Sequence, residues 1–260
     1  MIFAASGTQD GRGLVQYLLD RGYKVMASVV TSYGRDLLPH SDNLIVNDHK
    51  LDEEAMRRCL KEHDIKVFVD ATHPYAANVS KTAMRVCRET GIPYIRYERA
   101  VTPLPDYEKL HIVKTYEEAA ELAMQLGHDI FLTTGSNRLD LFAKAARDHS
   151  RHIVARVLPA VASLEICEKA GILPRDIVAM QGPFSEELNK ALYERYDTDV
   201  VVMKNSGTLG GTETKLTAAI ELNLDIVLID RPRITYTNFT NDYVSVGEFV
   251  RQYETPEEVN

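Results

Sequence analysis

The chain has 260 residues, 45% hydrophobic and 26% charged, with 30 basic against 38 acidic side chains and a net charge of −8. That length suits one large α/β domain or two of ordinary size with a sizeable core. The acidic balance argues against general nucleic-acid binding, and no apolar run is long enough to span a membrane.

Residues 2–5 read as an apolar strand, and Leu14, Val15, Leu18 and Leu19 at helical spacing follow it, stopped by Gly22. Val25–Val30 is the next strand and a polar loop with Ser32, Gly34 and Arg35 comes after it. Leu44–Val46 is a short strand, and Leu51, Ala55, Cys59 and Leu60 mark a helix. Val67–Val69 is a buried strand, succeeded by a helix starting at Pro74, and Tyr94–Tyr97 is another strand. Such alternation means a parallel, doubly wound sheet. Pro103 and Pro105 interrupt the rhythm, which then resumes. Strands are expected at 110–113, 130–133, 153–157, 177–180, 200–203 and 226–229. Helices are expected at 117–126, 139–146, near 164–170, at 186–195 and at 215–222, with a closing helix near 245–253. The organisation expected is two lobes, one over residues 1–100 and one over residues 101–260.

The chain is organised around Val67-Phe-Val-Asp-Ala-Thr-His-Pro-Tyr-Ala-Ala77, a strand, a polar lip and a helix start. Ligands of open α/β sheets sit where strands end in such loops. Asp70, Thr72 and His73 are groups there that bind or transfer protons; equally, Asp70 and Thr72 could cap the helix and His73 lie on the surface. Ser6-Gly-Thr-Gln-Asp-Gly-Arg-Gly13 lies between the first strand and first helix, where a dinucleotide pyrophosphate meets backbone N–H groups and the helix dipole. Its glycines, at 7, 11 and 13, do not follow G-x-G-x-x-G. The second strand ends in Val29-Val30-Thr31-Ser32, with Arg35 nearby and none of the acid that would hold the ribose of NADH. Hydroxyls with an arginine suit a 2′-phosphate, so NADPH is expected over NADH, although NADH is compatible.

Three polar loops follow strands in the second half: Thr133-Thr134-Gly135, Gly182-Pro183-Phe184-Ser185 and Lys204 to Lys215. The last resembles a P-loop only superficially, since residue 214 is threonine; two lysines around glycines still cradle carboxylates or phosphates. Arg231 closes the last strand on the same rim. The histidines other than His73 show no metal-ligand spacing, and no G-x-S-x-G elbow is present. Cys59, Cys87 and Cys167 are isolated, which fits buried thiols in a reducing cytoplasm, and Met1-Ile-Phe-Ala-Ala is no signal peptide.

Asp70-Ala-Thr-His-Pro-Tyr-Ala76 resembles the signature of the precorrin-6A reductases of cobalamin biosynthesis, metal-free or cobalt-bearing. So do Ser6-Gly-Thr-Gln-Asp-Gly-Arg12, Leu132-Thr-Thr-Gly135, Gly182-Pro-Phe184, Lys204-Asn-Ser-Gly207, Lys215-Leu-Thr-Ala-Ala219 and Arg231-Pro232, in the family's order. The family usually begins Gly-Gly-Thr where this chain has Ser6, and Asp10 stands where Glu is common. The resemblance implies two Rossmann-like lobes, each a mostly parallel sheet flanked by helices, with the active site in the cleft between them. It implies reduction of one ring double bond of a polycarboxylate tetrapyrrole by hydride from a reduced nicotinamide.

On that reading His73 and Asp70 are the candidate catalytic residues. Ser6, Gly7, Thr8, Thr31, Ser32, Arg35, Thr72, Pro74 and Tyr75 would bind cofactor. Thr134, Gly135, Gly182, Pro183, Phe184, Lys204, Ser206, Gly207, Lys215 and Arg231 would bind substrate, with Arg99 a further cation. No resident metal, nucleic acid or membrane is expected, and a monomer suffices. The competing readings are a cofactor-independent two-lobed tetrapyrrole cyclase or isomerase, and a nucleotide-sensing module without chemistry.

Overall fold

The computed structural model describes residues 1–30, 32–207 and 210–257, with the side chain of Ser32 also outside the description. The first unit opens with β1 (Ile2–Ala5), α1 (Gln9–Leu19), β2 (Val25–Ser28), α2 (Ser32–Asp36) and β3 (Leu44–Asn47). It continues through α3 (Glu53–Glu62), β4 (Val67–Asp70), α4 (Ala77–Thr90) and β5 (Tyr94–Tyr97). A second unit, Val101–Arg231, contains β6 (Leu110–Val113), α5 (Tyr116–Leu126), β7 (Asp129–Leu132), α6 (Leu139–Asp148), β8 (His152–Val157) and α7 (Val161–Ala170). It ends with β9 (Ile177–Ala179), α8 (Glu186–Arg195), β10 (Val200–Lys204), α9 (Thr212–Glu221) and β11 (Asp225–Ile229). From Pro232 the chain returns to the first unit for β12 (Phe239–Thr240) and α10 (Tyr243–Arg251). No helix among the described residues is long and apolar enough to cross a membrane.

The strand order is β3-β2-β1-β4-β5-β12 in the first sheet and β9-β8-β7-β10-β11-β6 in the second. Every pairing is parallel. Both sheets therefore have the Rossmann order, with the direction of winding reversing between β1 and β4 in one and between β7 and β10 in the other. Loops diverge at such a switch point and leave a crevice beyond the strand ends. Alternate residues of each central strand feed opposite faces. Ile2, Ala4, Val67 and Val69 pack with Leu14 and Leu18 of α1 on one side, while Phe3, Phe68 and Met26 pack with Leu60, Val86 and Cys87 on the other.

Residues 232 onward, expected in the second lobe, belong to the first. Phe239 and Thr240 pair with Arg96 and Tyr97, and Val246 and Val250 of α10 join the α1 core. Helix α10 lies so close that a Cβ on Gly13 would sit 2.8 Å from the Tyr243 hydroxyl. A two-residue strand has no periodicity to read, and its partner is remote in the chain. The second strand also ends two residues earlier than expected, at Ser28, and a short helix replaces the loop at Ser32–Asp36.

Candidate functional site

At the first switch point, Thr8 caps α1: its Oγ1 accepts the Gly11 N–H at 3.0 Å and donates to the Ala71 carbonyl at 3.3 Å. One hydroxyl thus ties the β1–α1 turn to the β4 lip. Gly11 is needed for that approach, because a Cβ there would lie 2.9 Å from the Ala71 oxygen. Gly7 is different: a Cβ on it would meet nothing within 4 Å, so the space over the turn is open. Beside it the buried Ser6 hydroxyl has no hydrogen-bond partner among the described residues. An open glycine, an orphaned buried hydroxyl and the N-terminus of an eleven-residue helix fit an anionic, hydroxyl-rich ligand. Asp10, in the first turn of α1, is paired at 2.6 Å with Arg99, and Tyr243 donates to its carbonyl at 2.6 Å. Arg99, expected to be a substrate cation, is thus engaged inside the first unit.

The β4 lip departs from expectation in two ways. Helix α4 begins at Ala77, not Pro74, and its N-cap, Ala76, makes no side-chain cap. Pro74 instead occupies a turn closed by the Ala76 N–H on the His73 carbonyl at 2.8 Å, where its fixed φ is at home. Asp70 and Thr72 consequently cap nothing. Asp70 is fully buried and paired with the equally buried Arg96 at 2.7 Å. It also accepts from Tyr94 Oη at 2.7 Å, Thr72 N at 3.0 Å and Thr72 Oγ1 at 2.7 Å. Burial pushes its carboxyl up, but the Arg96 guanidinium and hydrogen bonds from Ser80, Tyr94 and Thr72 outweigh that and hold it below the usual carboxylate range. A buried, ion-paired carboxylate has no proton to give, so Asp70 does not suit the role of acid. Its work is to order Thr72, to which Arg96 also donates at Oγ1 (2.9 Å) and at the carbonyl (3.0 Å). Arg96 reaches Glu98 as well, at 2.8 Å.

His73 is half-buried and tilted against Tyr75, with ring centroids 5.7 Å apart. Its Nδ1 accepts the Tyr75 N–H at 3.3 Å, which assigns the proton of the neutral ring to Nε2. Near the end of β2, Arg35 lies in α2 and pairs with Asp48 at 2.7 Å and Asp36 at 3.3 Å. Ser28 at the strand end accepts from Asn47 at 3.0 Å. Thr31, expected to touch the cofactor, lies outside the described residues.

The second switch point gathers the other expected residues. Lys204, the last residue of β10, donates to the Thr134 carbonyl at the end of β7 at 2.9 Å. Burial brings its ammonium pKa down to about 8. Asn205 is buried and clasps Thr102 through both backbone groups, and its carbonyl accepts Arg231 Nε at 2.8 Å. Ser206 N–H donates to Thr212 Oγ1 at 3.0 Å, while Gly207 and Gly211, at φ of +76° and +66°, bend the chain into α9. Gly135, at φ +80°, opens the Thr134 loop onto empty space. Lys215 lies in the body of α9, 7% exposed, rather than on the loop. Thr214 fastens the Gly182-Pro183-Phe184 loop by donating to the Phe184 carbonyl at 2.9 Å. Thr208 and Leu209 fall outside the described residues.

Sequence reasoning missed Arg96 and Arg156. Both are arginines inside otherwise apolar buried strands, 0% and 6% exposed, and a charge at a buried strand position was the available signal.

A family model described as precorrin-6x reductase CbiJ/CobK matches residues 1–251. A cobalt-precorrin-6A reductase of Priestia megaterium is 42% identical over 237 residues, which cover 91% of this chain and 92% of that protein. A precorrin-6A reductase of Rhodococcus erythropolis is 30% identical over 246 residues, 94% of each. Among solved structures, a CobK precorrin-6A reductase superposes with a TM-score of 0.80 at 26% identity, over 99% of both chains. With its motifs at the two switch points and this likeness along nearly its whole length, the chain belongs to the precorrin-6x reductase CbiJ/CobK family.

Proposed function

We propose that the protein reduces one ring double bond of precorrin-6A or its cobalt complex to the dihydro product, a step of cobalamin biosynthesis. A bound reduced nicotinamide supplies the hydride. The observation that carries the reading is the β1–α1 turn of a chain in a reductase family: open at Gly7, with a buried Ser6 hydroxyl that has no partner among the described residues and a capped helix N-terminus.

In this reading Ser6, Gly7 and Thr8 hold the pyrophosphate. Thr31, Ser32 and Arg35 favour a 2′-phosphate, for which Arg35 would exchange Asp48, making NADPH the preferred cofactor. The first unit carries the cofactor, and Thr72, His73, Pro74 and Tyr75 position the reacting rings. The Asp70–Arg96 pair keeps the lip rigid, so that Thr72 meets its ligand without reorganising. His73 acts by orientation, its Nδ1 fixed by Tyr75 and its Nε2–H turned to hydrogen bonding. In the second unit the Thr134, Gly135, Gly182–Phe184, Lys204 and Ser206–Gly207 loops hold the macrocycle's carboxylates, with Arg231 behind them and Lys215 supporting from α9.

The test is to follow nicotinamide oxidation with NADPH and NADH, each with metal-free and cobalt-loaded precorrin-6A. Turnover with NADPH faster than NADH is expected. Consumption of the tetrapyrrole without nicotinamide oxidation would return the cyclase reading, and nucleotide binding without turnover would return the sensor.

A further inference from the structure

The two buried arginines are satisfied in opposite ways. Arg96 is closed by two carboxylates, Asp70 and Glu98, at 2.7 and 2.8 Å. Arg156, the penultimate residue of β8, is 6% exposed and forms an ion pair with no Asp or Glu among the described residues. Its one described hydrogen bond is from Nη1 to Asn189 Oδ1, at 2.7 Å. Asn189 is fully buried in α8, and its amide nitrogen is committed to the Ser185 carbonyl (2.9 Å) and Thr214 Oγ1 (3.4 Å), so only its oxygen faces the arginine. One turn along α8, the buried Tyr193 hydroxyl has no hydrogen-bond partner among the described residues and contributes no anion. The Phe184 ring lies against the guanidinium with its centroid 4.3 Å from Cζ, and Phe131 stands 5.8 Å away.

A guanidinium is always charged, and burying a charge without a counter-ion costs several kcal/mol in a medium of low dielectric. Rings and one amide oxygen offset only part of that. The contact with Phe184 brings the guanidinium level with the Gly182–Ser185 loop at the carboxyl end of β9, beside the N-terminus of the ten-residue α8. Gly182 is what lets the ring lie there, since a Cβ on it would stand 3.0 Å from Phe184 Cε2. A buried cation with no counter-ion among the described residues, the amide that orients it and the loop ahead of α8 thus lie together.

We propose that Arg156 is a substrate-binding residue that receives one carboxylate of the tetrapyrrole, with Asn189 and Phe184 holding its fork in place. The assignment rests on the reductase reading above. It gives the Gly-Pro-Phe loop a purpose: the loop builds the wall of a carboxylate site rather than touching the macrocycle's ring system.

The test measures equilibrium binding of metal-free precorrin-6A to the full chain, without nicotinamide, through the tetrapyrrole absorbance. Arg156→Gln keeps a donor for Asn189 and removes the charge, so its Kd should rise about 10–100-fold, the scale of hydrogen bonds to a charged group. Arg156→Lys keeps the charge but not the fork and should fall between, about 3–10-fold weaker. The steady-state KM should follow Kd in both while kcat and NADPH affinity stay within about two-fold, a split that mere loss of structure does not produce. A wild-type Kd in either variant, or equal losses in both, overturns the assignment. If Arg156→Gln does not fold, Arg156→Lys decides by itself: weakened binding supports the assignment and unchanged binding ends it. Wild-type protein that neither binds nor reduces the tetrapyrrole overturns the functional reading, and this assignment with it; wild-type binding with unaffected variants overturns this assignment alone.

Discussion

Replacing Asp70 by Asn separates a capped helix start from a buried ion pair. Losing a cap costs about 0.5–2 kcal/mol. Asp70 is instead 0% exposed against a 0% exposed Arg96, and breaking a buried pair from one side costs about 3–5 kcal/mol, because a charge is stranded. Arg96 retains Glu98 at 2.8 Å, and asparagine keeps one acceptor for Thr72. The low end, about 3 kcal/mol, is therefore expected. At about 2–4 °C per kcal/mol, this lowers the thermal midpoint by about 6–12 °C. Urea unfolding read by far-UV circular dichroism gives the free energy, and amide exchange in β4 and β5 assigns the loss to the first unit. The folded pKa of Asp70 is lowered, so the pair's contribution is complete above the unfolded carboxyl value of about 3.9 and disappears as pH falls through the folded one. The deficit of Asp70→Asn should accordingly be constant from about pH 5 to 8. Arg96→Met added to Asp70→Asn should cost less than the sum of the two single changes, since neither fully buried charge of the pair then strands the other. A loss below about 1 kcal/mol, or strictly additive losses, would refute the buried-pair reasoning.

His73→Ala should lower turnover at least about 100-fold with the midpoint moving only a few degrees, as a misplacement of about 1 Å does. A pH–rate profile of unchanged shape marks positioning, whereas disappearance of a limb would make His73 the proton donor. Arg35→Ala should weaken NADPH by about 1–3 kcal/mol and NADH little, because in the proposed reading Arg35 leaves Asp48 for the 2′-phosphate that NADH lacks; titrations with equal losses overturn the preference. Lys204 has its pKa lowered to about 8, so it is a cation below that pH and neutral above it. KM for the tetrapyrrole should climb as pH rises through this value in wild type, and Lys204→Arg should abolish the climb. A climb that persists in Lys204→Arg excludes Lys204 as its origin.

Much of the architecture was legible because parallel α/β folds write themselves locally. Buried strands are apolar runs, helices have a 3.6-residue period, and the loops between them need Gly, Thr, Asn and Pro. Ser6-Gly-Thr8, the Asp70–Tyr75 lip and the Lys204 loop were all recognisable as strand ends, and the switch points of both sheets fall there. The signature around Asp70 was enough to suggest a family.

Side-chain roles were another matter, because burial and pairing are set by residues far apart in the chain. Asp70 looked like an acid or a cap until Arg96 and Tyr94, on the neighbouring strand, made it a buried anion. Arg99 looked available for a substrate until Asp10 took it. Lys215 looked like a loop cation and is embedded in α9. Pro74 suits a helix start and a turn equally well, and the His73–Ala76 hydrogen bond chose the turn. The return of β12 and α10 to the first unit joins Thr240 to Tyr97, and no local pattern encodes a pairing across so much intervening chain. Sequence by itself determined which segments are the longer strands and which of their ends gather glycines and polar groups, since both depend on near neighbours. Only the tertiary structure decided which charges are buried, which are matched and which, like Arg156, have no counter-ion among the described residues, because desolvation and pairing exist only once distant strands lie side by side.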